Sequence, residues 1–269
     1  MLSKKWVLTD HISRTTSQYL KSALCSHLKS QTPLTSTDVP KGYHFLYFNF
    51  KSEESDLSFD GYDSYQAPSN DFKRRMWVNG ELSFLKDLKF NEQSFCVENV
   101  ERVRNIKCAN LVTISREILN GDGEISILEK RSLVYLNDLY DASKTPVKKF
   151  TKQSDHRYTL TPSDILLFRY SALTFNSHKI HYDKQYAKTE GYPNLIVHGP
   201  LTVTLMMEWV QSFNDEVISS FRYKNVCPLF VNQPLTLCLR EDDENAKWDV
   251  WIENEQGHVA FEGVIEYIK

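Results

Sequence analysis

The 269-residue chain lacks a charge excess: 32 basic residues face 35 acidic ones, a formal net charge of −3. A balance this close to neutral carries no electrostatic footprint for nucleic acid. The one local basic cluster, Lys73-Arg74-Arg75, is short enough to be a solvated face unless a compact anionic partner meets it. Cysteines are few and scattered, at 25, 96, 108, 227 and 238. With no CxxC pair and an odd count, they argue against a disulfide framework and a zinc site and point to a reducing compartment. No apolar run reaches membrane-spanning length, and the longest, near 200–210, contains Glu208. The first thirty residues hold a single acid, Asp10, among many Lys, Ser and Thr. That composition suits a mitochondrial presequence. Leu20, Leu24 and Leu28 recur every four residues, which reads equally as the face of a first helix, and one segment can serve both ends.

What is present falls into two similar halves. Leu111–Ile118 alternates apolar and polar, the turn Asn120-Gly121-Asp122-Gly123 follows, and a second strand-like run closes the unit. Trp248–Ile252, the turn Asn254-Glu255-Gln256-Gly257 and the run VAFEGVIEYI repeat the pattern at the C-terminus. Each is a long hairpin signal. The runs Phe45–Phe50 and Leu229–Leu239 read as further strands. The pattern predicts a duplicated antiparallel unit, divided as 1–145 and 146–269, with the polar, Lys-rich Asn137–Tyr158 as linker. Beyond it, Thr161-Pro162-Ser163-Asp164 reads as a helix start, with Thr161 as N-cap, Pro162 at the first helical position and Asp164 in the positive first turn.

The richest stretch is 175–200, FNSHKIHYDKQYAKTEGYPNLIVHGP. It sets three histidines, an Asn and an Asp before a His-Gly-Pro that opens the apolar run LTVTLMMEWV. A helix apolar on nearly every face must be wrapped on several sides, as one antiparallel sheet folded around it would do. The first half has no equivalent: residues 62–82 are polar and charged. His181 has a reference pKa of ~6.5, near working pH, and suits proton removal next to a carbonyl. Gly199 places an N–H at a helix N-terminus, where negative charge is stabilised, and has no side chain to obstruct a substrate. Three histidines can also suggest zinc. Here His178 and His181 are three apart in a loop, no Cys joins them, and His198 directly precedes the helix, so neither a metal nor another cofactor is expected.

Residues Phe175–Ala187 resemble the signature of the MaoC-like (R)-specific hydratases, D-x-N-P-x-H-x-D-x-x-Y-A. Asn176 falls on its first Asp, His178 on its Asn and Lys179 on its Pro. His181 falls on the catalytic His, Asp183 on the second Asp and Tyr186-Ala187 on Y-A. Val197-His198-Gly199 matches the V-H-G that opens the family's central helix. Asp60-Gly61-Tyr62-Asp63, Arg74-Arg75-Met76-Trp77, Gly80-Glu81 and Glu129–Tyr135 resemble the degenerate first half of one subgroup. That subgroup comprises the mitochondrial 3-hydroxyacyl-thioester dehydratases of type 2 and bacterial relatives such as mesaconyl-C4-CoA hydratase.

The resemblance implies an α+β double hot-dog: two antiparallel sheets joined edge to edge, with a long central helix only in the C-terminal unit. It implies dehydration of 3-hydroxyacyl thioesters on acyl carrier protein in mitochondrial fatty acid synthesis. His181 would carry the proton, Asn176 would hold the hydroxyl or water, and the Gly199 N–H would hold the thioester oxygen. His178, Asp183 and His198 would support them, Asp183 as a hydrogen-bond acceptor. An amide at 176 cannot act as a general base, so the second proton-handling group stays open. Arg74, Arg75 and Trp77 read either as interface or nucleotide contacts or as a fold-stabilising cluster. The rivals are a CoA-thioester hydratase, a hot-dog thioesterase, disfavoured by Asn176, and a non-catalytic thioester-binding protein. A homodimer is compatible with each.

Overall fold

The computed structural model describes residues 4–29, 34–69 and 71–269. The chain runs β1 (Lys5–His11), α1 (Arg14–Leu28), β2 (Arg74–Phe84), β3 (Gln93–Ile106), β4 (Ala109–Leu119) and β5 (Ile125–Leu136). It continues through β6 (His156–Leu160), α2 (Asp164–Leu173), α3 (Lys184–Thr189), α4 (Gly199–Gln211), β7 (Val217–Asn225), β8 (Leu235–Asp242), β9 (Lys247–Glu253) and β10 (Val259–Ile268). All strands join one antiparallel sheet in the order β1-β3-β4-β5-β2-β7-β10-β9-β8-β6. The order is a palindrome: a strand, then one helix in the first set or three in the second, then four more strands are laid down twice, and the two sets meet at β2 and β7. Their register runs from Asn79 opposite Lys224 to Ser83 opposite Ser220. Joining there covers two edges that would otherwise present unpaired N–H and C=O groups.

Both predicted hairpins form, as β4–β5 and β9–β10. The four-residue leucine repeat is α1, capped by the Ser13 hydroxyl, with Leu20, Leu24 and Leu28 buried. Sequence reading missed β1, seven residues whose exposure alternates strictly along the strand.

Helix α4 is buried from Leu201 to Val210 without exception. Each fully buried Leu, Val or Met contributes about 1.5–3 kcal/mol relative to exposure, so this one helix organises the core. Its only charge, Glu208, pairs with Lys21 of α1 and accepts from Tyr43 Oη. Among the described residues of 60–85, where β2 lies, there is no comparable helix.

Four expectations are corrected. Phe45–Phe50 is not a strand: Tyr43–Leu46 forms a short 3-10 helix, and Tyr43 through Phe48 are all buried. Continuous burial on successive residues cannot be met by a pleated strand with one solvated face, and Phe48 adopts φ +59°. In Leu229–Leu239 only Leu235 onward is strand; Leu229 and Phe230 instead hold the segment before α4, through Val197 N donating to Leu229 O at 2.8 Å and an Ile196–Phe230 bridge. Helix α2 starts two residues late, because Ser163, not Thr161, caps it: its Oγ accepts from Leu166 N at 3.1 Å. The expected linker ends at 155, since His156–Tyr158 pair with β8.

In the first half, the sheet face carries a buried ionic network instead of a helix. Arg116 contacts Glu98 at 3.0 Å and Glu129 at 3.2 Å, and Arg131 contacts Glu129 at 2.7 Å. Burial pushes the Glu129 pKa up, but Arg131 and Arg116 outweigh it and hold the group at about 2.

Candidate active site

The chain leaves α2 through Phe175, whose φ of +51° reverses its direction. Asn176 N donates to Ser171 O at 2.8 Å, and Asn176 Oδ1 accepts from His178 N at 3.0 Å. This Asx turn aims the next residues back toward α4. A single 3-10 turn then carries His181. Asp183 ends the loop by capping α3, accepting from Gln185 N and Tyr186 N at 2.9 Å each.

His181 is fixed by one bond. Its Nδ1 lies 2.8 Å from Ile196 O. A carbonyl can only accept, so the ring proton sits on Nδ1 and Nε2 presents a bare lone pair. Burial pulls the His181 pKa down to about 4, and the Ile196 carbonyl offsets this only in part. The ring is therefore neutral at physiological pH. His198 stacks on it, with centroids 3.6 Å apart and planes at 20°. His198 is itself buried, with Nε2 2.8 Å from Ser171 Oγ. Burial first, then the neighbouring histidines, holds it neutral.

His198 is the N-cap of α4 and Gly199 its first residue, followed by Pro200. First-turn N–H groups have no intrahelical acceptor, and proline removes the next one. Gly199 was expected to be glycine to admit substrate. The structure adds a second cause: an added Cβ would lie 3.0 Å from Trp77 Cβ and 3.2 Å from Asn225 Nδ2. Strand β2 of the first half presses directly on the start of α4.

A cavity of about 530 Å³ brings Asn176, His178, His181 and Gly199 together. His198 stands behind His181, and Asp183 does not reach the cavity. The opposite wall belongs to the first half, with Tyr62, Arg75, Trp77 and Arg131, and residues 138–141 and 144–146 of the expected linker line it too. Arg74 and Arg75 are committed internally. Arg74 Nη1 donates to Tyr192 Oη at 2.8 Å, and Arg75 pairs with Asp60 at 2.8 Å. Trp77 Nε1 donates to Tyr223 Oη at 3.1 Å, and the Arg131 guanidinium lies 4.5 Å over its ring. These bonds tie the cluster into the fold, and all three side chains also line the cavity. Sequence reading missed that Trp77 approaches Gly199 and that Asp60 approaches His178, because each pair is separated by more than a hundred residues. Among the described residues, no group of three or more His, Cys, Asp or Glu is arranged to hold a metal ion.

An antiparallel sheet enclosing one apolar helix, with neutral histidines at that helix's N-terminal end, defines a protein of the hot-dog class. A solved MaoC-like dehydratase superimposes with a TM-score of 0.73 at 12% identity, covering 99% of this chain and 97% of that one. The family model for hydroxyacyl-thioester dehydratase type 2 matches residues 42–231, and the chain belongs to that family. It is 35% identical to the mitochondrial hydroxyacyl-thioester dehydratase type 2 of Schizosaccharomyces pombe, over 89% of this chain and 91% of that protein. It is 29% identical to the mesaconyl-C(4)-CoA hydratase of Chloroflexus aurantiacus, over 93% and 91%.

Proposed function

We infer that the protein is a hydro-lyase that dehydrates (R)-3-hydroxyacyl thioesters to trans-2-enoyl thioesters and water. The observation that supports this most is the His181 tautomer, with a bare Nε2 in the same cavity as the α4 N-terminus. In this reading Nε2 takes the Cα proton. Negative charge develops on the thioester oxygen, and the Gly199 N–H together with the helix dipole stabilises it. One such donor contributes about 3–4 kcal/mol in transition states of this type. The proton then passes from His181 to the departing hydroxyl, and the Cα–H electron pair becomes the double bond. Asn176 holds the hydroxyl by hydrogen bonding. His178 and His198 orient the loop and the ring, and Asp183 fixes the loop through its cap.

The physiological substrate we propose is an acyl carrier protein thioester, in mitochondrial fatty acid synthesis. Likeness to a relative named mitochondrial supports the location. The chain is read as two units, 1–145 and 146–269, with the chemistry in the second, and a homodimer as the assembly. Likeness to a CoA-thioester hydratase supports a second reading, the same chemistry on CoA thioesters in the hydration direction.

Crotonyl-CoA tests the proposal. Loss of the conjugated enoyl absorbance without release of free thiol is expected. Free thiol would make the protein a thioesterase, and no change in either signal would leave a binding protein. The same assay with crotonyl-acyl carrier protein compares kcat/KM between the two carriers, and a higher value on CoA favours the second reading.

A further inference from the structure

Asp60 lies in the half of the chain to which no chemistry is assigned, yet it is fully buried. The loop carrying it is bound onto the histidine loop at several points. Lys179 N donates to Asp60 O at 2.9 Å, Ser177 Oγ to Gly61 O at 2.6 Å, and Lys179 Nζ to Phe59 O at 2.8 Å. Gly61 has φ +78°, and a Cβ there would stand 2.5 Å from Ser177 O. Only glycine permits that approach. The Asp60 carboxylate is itself held: Oδ2 takes two contacts from Arg75, at 2.8 and 2.9 Å, and Oδ1 accepts from Tyr62 N at 3.1 Å. Its Oδ2 lies 3.6 Å from His178 Nε2, a buried nitrogen with no hydrogen-bond partner among the described residues.

At 3.6 Å the contact is electrostatic and longer than a hydrogen bond. It still selects a tautomer. A lone pair on Nε2 would face a carboxylate, whereas an N–H there faces it favourably. Tyr62 and Tyr186 flank the His178 ring, and His181 stands edge-on to it at 5.5 Å between centroids. The ring lines the cavity, and with Nε2 turned to Asp60 its other nitrogen is the one left to a ligand.

We propose that Asp60 is a positioning residue: its carboxylate keeps the His178 proton on Nε2, so that Nδ1 is the acceptor that seats the substrate's 3-hydroxyl group beside His181. This rests on the dehydratase reading. No proton is gained or lost at His178. The Cα–H bond breaks to His181 Nε2, its electron pair forms the Cα=Cβ bond as Cβ–O breaks, and the same proton leaves on the oxygen as water. The hydroxyl's own hydrogen stays on that oxygen throughout, donated to His178 Nδ1. The carboxylate lost at position 176 is thus replaced by a neutral acceptor whose orientation is set from the first half.

The test is Asp60→Asn. Its amide oxygen, held by Arg75, takes the place of Oδ2 opposite His178 Nε2, but the negative charge is gone; the Arg75 cation beside the ring is then unbalanced, which favours a lone pair on Nε2 and the proton on Nδ1. Expected in the full-length variant are a fall in kcat/KM for 3-hydroxybutyryl-CoA of at least ~10-fold, as for other tautomer-setting carboxylates, and an unchanged Ki for butyryl-CoA, which lacks the hydroxyl. The 15N spectrum of His178 should show Nε2–H in the parent and Nδ1–H in the variant. A parent ring protonated on Nδ1, turnover within twofold of the parent, or a butyryl-CoA Ki weakened in step with kcat/KM each overturns the proposal. If Asp60→Asn does not fold, the parent spectrum and His178→Phe decide, with the same contrast between the two ligands expected. His181→Ala separates the two readings: if it stays active, the dehydratase mechanism fails, whereas if it is dead and Asp60→Asn is not, only the role of Asp60 fails.

Discussion

At the scale of single residues, the site depends on where protons are not. His181 is useful as a base because its Nδ1 proton is committed to Ile196 and its ring is neutral. His181→Ala is expected to lower kcat at least ~100-fold, the low end for general acid–base groups, with circular dichroism unchanged. The pH dependence follows in sign. The folded pKa is about 4, below the ordinary ~6.5, so the unfolded chain binds more protons between those values. Stability contributed by the neutral ring is complete above pH ~6.5 and is lost as pH falls toward 4. His44, also lowered to about 4 by burial, adds to the same window. The melting temperature should therefore drop between pH 6.5 and 4, and kcat/KM should hold from neutral pH down to about 5 before falling. A bell with its acid limb near 7 would contradict the assignment. Asn176 has two separable parts. Its Oδ1 builds the turn by accepting from His178 N, and its amide N–H₂ is the part that can donate to a ligand. Asn176→Ala should lose both turn and turnover. Asn176→Asp keeps the acceptor and should retain the melting temperature better than the alanine variant; equal destabilisation would place the turn's stability elsewhere.

At the scale of elements, the second half was legible because its signals are local. The apolar run after Gly199 gave α4 to within a residue at each end, and the Asn/Gly turns gave the closing hairpin of each half. Phe45–Phe50 misled because aromatic residues suit strands and buried irregular chain alike, and only the packing against α4 decides. The Thr161 cap misled because Ser163, two residues on, is an equally good acceptor. The packing reason for Gly199 was invisible because Trp77 arrives from 122 positions upstream. That contact makes a prediction. Gly199→Ala puts a methyl 3.0 Å from Trp77 Cβ, tighter than most packed contacts, so one side must give by a few tenths of an ångström. Overpacking of this kind costs about 1–3 kcal/mol. Both thermal stability and turnover should fall, because the start of α4 and the seam strand must move apart. An alanine variant with parental melting temperature and kcat would show that the junction yields freely.

At the scale of the molecule, the first half is a wall and a clamp for the second. Among the described residues it has no helix like α4 and fills its sheet face with the Glu98–Arg116–Glu129–Arg131 network. Yet it supplies Trp77 against Gly199, Asp60 against His178, and the pairing partner of β7. Leu82 and Phe221, opposite each other across the seam, are both fully buried. Gly80 lets Tyr223 Oη come to 2.3 Å from where a Cβ would be, and that hydroxyl takes the Trp77 N–H. Residues 146–269 expressed alone would keep their own hairpins and α4. They would also expose the β7 edge, strip apolar side chains at the seam and leave one side of the cavity open to water. An exposed, unpaired, apolar edge is an aggregation site. The fragment should therefore elute as aggregates in size exclusion and show no dehydratase activity, although it carries every residue read as catalytic. Co-expression with residues 1–145 should restore a soluble, active complex, because the seam is made of backbone pairing and packing that need no covalent link. A monomeric fragment with parental kcat would mean that the first half contributes neither edge nor wall, and that the palindromic sheet is a remnant of duplication without consequence for the site.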